Sequence, residues 1–154
     1  MNRNRRDAMK AAGGASLLAL LAAAGLVRPG DALAQAPGAF EVKTLPEAMK
    51  VLGAQNPADS SAILIKAPEI AENGAVVPVS VESKIPGTQS IALLIAKNQQ
   101  PLAASFDIPA GTEPSVSTRV KMGESSDVYA LVKADGKFFV AKKEIKITLG
   151  GCGG

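Results

Sequence analysis

From Ile63 onward the chain alternates apolar and polar residues with a period of two, the spacing that sends successive side chains to opposite faces of a β-strand. Ile63-Leu64-Ile65-Lys66 reads as the first strand. Val77, Val79 and Val81 alternate with Pro78, Ser80 and Glu82, which predicts a half-buried strand. Pro78 has no N–H to give a ladder and points to an edge or a bulge. Ser90 to Lys97 is strongly apolar, is turned by Asn98-Gln99-Gln100-Pro101, and is expected to pair with Leu102 to Ile108. Val116 to Met122 and Val128 to Lys133 alternate again. Asp135-Gly136 is a two-residue hairpin turn into Lys137-Phe138-Phe139-Val140. Glu144 to Leu149 ends the fold, with Ile145, Ile147 and Leu149 on one face and Glu144, Lys146 and Thr148 on the other.

One stretch has helical signals instead. Thr44 can cap, Pro46 suits a first turn and Glu47 completes a capping box. The helix should run through Ala48, Met49, Val51 and Leu52 and stop near Gly53. Together with about eight short strands and turns rich in Gly, Pro, Asn and Asp, this predicts an all-β fold. The architecture expected is an antiparallel, immunoglobulin-like β-sandwich over residues 35–149, opened by a short N-terminal helix. No interval offers the repeated helical crossovers of a parallel sheet, and there is no internal repeat or second domain.

Residues 1–34 follow another pattern. A basic start holding Arg3, Arg5 and Arg6 precedes an apolar stretch from Ala11 to Val27, and Ala32-Leu33-Ala34 supplies a small-x-small cleavage pattern. This is the three-part design of a signal peptide, with removal expected after Ala34. The rival, a membrane anchor, needs about 20 continuous apolar residues, whereas this stretch is interrupted by Gly13, Gly14 and Gly25. The Arg5-Arg6 pair within Asn4-Arg5-Arg6-Asp7-Ala8-Met9-Lys10 points to the twin-arginine route, although Ala8 stands where a bulky apolar residue is usual. That route moves folded proteins into the periplasm, so folding beside a partner without a signal of its own is compatible with it.

The signal segment also accounts for the charge. The chain has 17 basic and 14 acidic residues. Residues 1–34 hold five of the former (Arg3, Arg5, Arg6, Lys10, Arg28) and two of the latter (Asp7, Asp31), which leaves twelve of each sign in the remainder. Nothing in a neutral domain argues for nucleic acid or an anionic membrane. There is no histidine, which removes an imidazole base, a Ser-His-Asp triad, a His-containing zinc site and a histidine haem ligand together. Cys152 is the single cysteine. In an exported protein its thiol stays free, joins another chain or is chemically modified.

Cys152 stands between two glycine pairs, Gly150-Gly151 and Gly153-Gly154. Glycine brings no side chain to pack and allows nearly all backbone conformations, so residues 150–154 are expected to be a flexible arm. Five extended residues reach about 17 Å, far enough to carry the sulfur into a narrow cleft of another protein. A solvated cysteine has a pKa of about 8.5 and is mostly protonated at neutral pH, and no base lies nearby in the sequence. Cys152 is therefore a handle that a partner's site activates, and neither a catalytic residue, a metal ligand nor a cofactor-binding residue is expected in the chain. The alternative is a structural β-domain whose tail cysteine forms an intermolecular disulfide.

Lys142, Lys143 and Lys146 can attract an anionic adduct, but such lysines more often form a solvated strand face. Asp127, Asp135, Glu124 and Glu144 fall at turns and on polar faces, and Ser125-Ser126 has no base beside it.

The chain resembles the SoxY family, the sulfur-carrier subunit of the periplasmic thiosulfate-oxidising complex. The likeness lies in the twin-arginine signal, Glu72-Asn73-Gly74-Ala75-Val76-Val77-Pro78-Val79, Pro101-Leu102-Ala103-Ala104-Ser105-Phe106, Ser117-Thr118-Arg119-Val120-Lys121-Met122 and the terminal Gly-Gly-Cys-Gly-Gly. The turn Asn98-Gln99-Gln100-Pro101 departs from the proline-containing form expected there. The resemblance implies that Cys152 forms an S–S link to thiosulfate sulfur through a c-type cytochrome partner. It further implies that a manganese-dependent hydrolase then releases sulfate, that a sulfane dehydrogenase acts on the remaining sulfur in some organisms, and that the carrier pairs with a second β-sandwich subunit of SoxZ type.

Overall fold

The computed structural model describes residues 38–148; the expected signal segment and the arm with Cys152 lie outside them. The first element is a helix, α1, at Leu45–Val51. Its start is the expected one, since Thr44 is extended and its hydroxyl accepts from the Glu47 amide at 3.4 Å. Its end is fixed by Gly53 in the left-handed region (φ +84). There Gly53 N–H donates to Lys50 and Ala54 N–H to Met49, the paired bonds that close a helix over a glycine.

Nine strands follow: β1 (Ala58–Asp59), β2 (Ile63–Lys66), β3 (Ile70–Ala71), β4 (Val77–Ser83), β5 (Thr88–Ile95), β6 (Leu102–Asp107), β7 (Ser115–Val120), β8 (Ser126–Ala134) and β9 (Lys137–Ile147). One sheet runs β1-β9-β8-β5-β6, with β3 also on β9, and the other runs β2-β4-β7. The expected all-β sandwich with one short helix is what forms.

The six-stranded sheet is covered on both faces, which explains why β5 reads as a continuous apolar run. Ile91, Leu93 and Ile95 face the second sheet and meet Val77, Val79 and Val81 of β4, with Val128, Ala130 and Val132 of β8 beside them. Ala92 and Leu94 face the other way, with Leu131 and Val140, and are covered by Leu45, Ala48 and Met49 of α1 and by its C-cap, Leu52. Leu93, Leu94 and Ile95 are fully buried.

Three features differ from the sequence reading. Lys137 to Val140 and Glu144 to Ile147 are one strand, β9, paired with β8 from Ala134↔Lys137 to Ser126↔Ile145. The alternation runs through: Phe139, Ala141, Ile145 and Ile147 join the core between the sheets, while Phe138 and Val140 join the layer under α1. Lys143 interrupts that pattern with a charge, but its ammonium donates to the Ala67 carbonyl at 2.7 Å. Secondly, β1 and β3 pair with β9 in parallel, and two-residue parallel pairings leave no periodic trace. Thirdly, β4 is the central strand of its sheet and not an edge. Pro78 is tolerated because β2 reaches along β4 only to Ser80, so β4 has a neighbour on one side alone at Pro78, opposite Arg119.

The Asp135-Gly136 turn joins β8 and β9 as expected, with positive φ at both residues (+47 and +73), the twist that suits a two-residue hairpin.

Candidate functional site

The antiparallel pairings bring the end of β5, the start of β8 and the end of β9 to one end of the sandwich. The described chain stops there at Thr148, four residues before Cys152.

The end of β9 is held on both sides. Ile147 N–H donates to Ser125 Oγ at 2.8 Å, and Ser125 Oγ donates to the Ile147 carbonyl at 3.5 Å. Across β9, Lys146 N–H reaches Glu69 and Thr148 N–H reaches Ala71 at 3.1 Å. The next support is the Asn73-Gly74 turn. Asn73 Oδ1 accepts from the Ala75 amide at 2.9 Å, and the Gly74 carbonyl accepts from Met122 N–H at 2.7 Å. A Cβ on Gly74 would stand 2.5 Å from the Met122 carbonyl and 3.3 Å from Ile147 Cγ2. Glycine is needed here for close approach, since Gly74 has no positive φ.

Two loops complete this end. Asn98 joins them: its Nδ2 donates to the Lys121 carbonyl at 2.7 Å and its Oδ1 accepts from Gly123 N–H at 3.2 Å. The Lys97 amide donates to Ser126 Oγ at 3.1 Å, and Ser126 is buried. Between residues 97–100 on one wall and Lys121, Gly123 and Glu124 on the other lies an open cleft of about 570 Å³. Lys97 and Glu124 are 3.7 Å apart, but both side chains are more than half exposed, so water screens the pair and it adds little stability. The exposed apolar side chains Ile70 and Val76 stand near the same end.

Cys152 and Gly150, Gly151, Gly153 and Gly154 lie outside the described residues. Ser125 and Ser126 are not a nucleophile pair but the hydrogen-bonding posts that hold β9 and the 97–101 loop. Lys142, Lys143 and Lys146 do not converge: Lys142 lies 3.6 Å from Asp127, Lys143 serves the Ala67 carbonyl, and Lys146 is exposed opposite Ile70. Asp135 occupies its turn, and Asp127 and Glu144 face each other across β8 and β9. Among the described residues no three His, Cys, Asp or Glu side chains are grouped to hold a metal ion. The cleft is the feature that sequence reasoning missed. Its walls come from segments more than twenty residues apart, and only the pairing of β5 with β8 places them side by side.

Comparison with known proteins gives a consistent result. The model of the family described as "Sulfur oxidation protein SoxY" matches residues 48–152. Among solved structures, the sulfur carrier protein SoxY from Chlorobium limicola f thiosulfatophilum is 41% identical, with a TM-score of 0.63, over 71% of this chain and 96% of that one. The human F-spondin reeler domain also aligns, at 9% identity and a TM-score of 0.39 over 60% of this chain and 93% of that one. No curated protein sequence matches.

Proposed function

The chain belongs to the SoxY family of sulfur oxidation proteins, and we propose that it is a covalent sulfur carrier whose Cys152 holds the substrate on an arm of residues 150–154. The observation that carries this reading is the family match, which runs through to Cys152 itself. The rigid root of the arm supports it. A strand clamped on both edges up to Thr148, followed by a segment built almost wholly of glycine, suits a reactive group that must leave the domain without disturbing it.

In the proposed loading step the Cys152 thiol and thiosulfate form an S–S bond, giving Cys–S–S–SO₃⁻, one proton and two electrons. A c-type cytochrome partner takes the electrons. Water, activated by a manganese-dependent partner hydrolase, then attacks the terminal sulfur and breaks the bond between the two outer sulfurs. Sulfate leaves and a cysteine persulfide remains, which a sulfane dehydrogenase oxidises where one exists. The chain contributes the thiol and its presentation, and the catalysis is the partners'. Pairing with a SoxZ-type β-sandwich subunit and export to the periplasm by the twin-arginine route, with removal of residues 1–34, belong to the same reading.

Mass spectrometry tests it directly. Incubation with thiosulfate and the partner cytochrome should add one thiosulfate to Cys152, and Cys152→Ser should abolish the gain. An adduct that persists in Cys152→Ser, or none in the parent chain, refutes the proposal.

A further inference from the structure

The cleft between the 97–100 and 121–124 loops is not used by the function proposed above. We infer that it is a dock, on the carrier itself, for the anionic end of the sulfur group held by Cys152 of the same chain. The inference rests on the carrier reading and adds a resting place between visits to partners.

Position comes first. Ile147 is hydrogen-bonded to Ser125, and the neighbouring Glu124 already lines the cleft. Cys152 is four residues past Thr148, and four extended residues cover about 13 to 14 Å. The sulfur can thus enter the cleft without any change in the sandwich. The cleft is also preformed, because Asn98 ties its two walls together, so docking does not have to order the loops.

Chemistry comes second. The loaded group ends in a sulfonate with a full negative charge. The cleft offers Lys97, Lys121 and the side-chain amides of Gln99 and Gln100. Lys121 has no carboxylate within ion-pair distance among the described residues, whereas Lys97 is shared with Glu124 at 3.7 Å. On the arm-bearing strand itself Lys142 lies beside Asp127 and Lys143 is bound to a carbonyl, while Lys146 is exposed opposite Ile70 and does not line the cleft. An exposed pair of this kind is weak alone. A short tether, however, gives an effective concentration in the millimolar range, at which weak attraction holds the group for part of the time. Docking would keep the S–S bond from stray thiols, and a partner's deeper site would still win the group.

The test needs no partner enzyme. Tetrathionate loads a thiolate by disulfide exchange: RS⁻ attacks an inner sulfur, the central S–S bond breaks, RS–S–SO₃⁻ forms and thiosulfate leaves. Protein with its intact arm, loaded in this way, should show amide chemical-shift changes at Lys97 to Gln100 and Lys121 to Glu124. Dithiothreitol should then strip the group about two- to five-fold faster from Lys121→Gln and Lys97→Gln, the range expected for exposed ion pairs, and more slowly from Glu124→Gln. These differences should vanish near 1 M salt, where screening acts within about 3 Å. The signs are diagnostic. A general field effect would make loss of a lysine slow the attack by an anionic thiolate, the opposite of undocking. Absent shifts in the cleft, or lysine variants that react at the parent rate or slower, overturn the dock while leaving the carrier reading intact. Loading is done at about pH 9, where a solvated thiol is largely ionised without a partner's help, and failure of tetrathionate to add to Cys152 there overturns both.

Discussion

Replacing Gly74 by alanine tests the close packing of the 72–76 turn against Met122 and the end of β9. The new Cβ would lie 2.5 Å from the Met122 carbonyl oxygen and 3.3 Å from Ile147 Cγ2. Neither neighbour yields easily, because Met122 is 2% exposed, its amide is bonded to Gly74 at 2.7 Å, and Ile147 belongs to β9. Relief requires the 72–76 turn to move outward. Overpacking of this kind costs about 1–3 kcal/mol, and losing the Met122–Gly74 hydrogen bond adds about 0.5–1.5 kcal/mol. Alanine returns about 0.4–1 kcal/mol by restricting the unfolded chain. The expected net loss is about 0.5–4 kcal/mol, with its middle near 2 kcal/mol. At a urea m-value of about 2 kcal/mol/M, a 2 kcal/mol loss lowers the midpoint by about 1 M with m unchanged. Hydrogen exchange should quicken at the Met122 and Thr148 amides, which depend on this turn and on β3. Gly123→Ala is the control, since a Cβ there meets nothing within 4 Å and φ is not positive, so it should be neutral or slightly stabilising. A Gly74→Ala protein as stable as its parent, with Met122 still protected, would refute the close-approach argument.

Leu94→Ala should cost about 2–5 kcal/mol in urea or thermal unfolding, because Leu94 is fully buried between the large sheet and α1. Thr44→Ala should cost about 1 kcal/mol, the usual worth of a helix cap, seen as loss of protection at the Glu47 amide. Lys142→Ala should change stability by less than about 0.5 kcal/mol despite its contact with Asp127, because both side chains are substantially exposed.

Much of the fold was legible because local signals and tertiary demand coincided. Thr44, Pro46, Glu47 and Gly53 mark the helix in sequence and make its caps in space. Val77, Val79 and Val81 alternate because β4 has one buried face. The parallel contacts of β1 and β3 were not legible, since they depend on where β9 lies and not on any period of their own. Lys143 hid the continuity of β9, because an inward lysine looks like a break unless the Ala67 carbonyl that receives it is known. Of the site, the thiol and its glycines stand in plain sequence, whereas the cleft beside their root is a product of strand pairing. Asn98 shows the difference: in sequence it is one more turn residue, and in space it is the bridge between two loops.

The long final strand has a mechanical consequence. β9 is paired antiparallel with β8 from Lys137 to Ile145 and flanked on its other edge by β1 and β3. A pull along the strand axis from its C-terminal end loads these ladders in shear, so many hydrogen bonds resist at once instead of opening one after another. On the carrier reading proposed above, a partner can draw on the cysteine while the domain behind it keeps its shape.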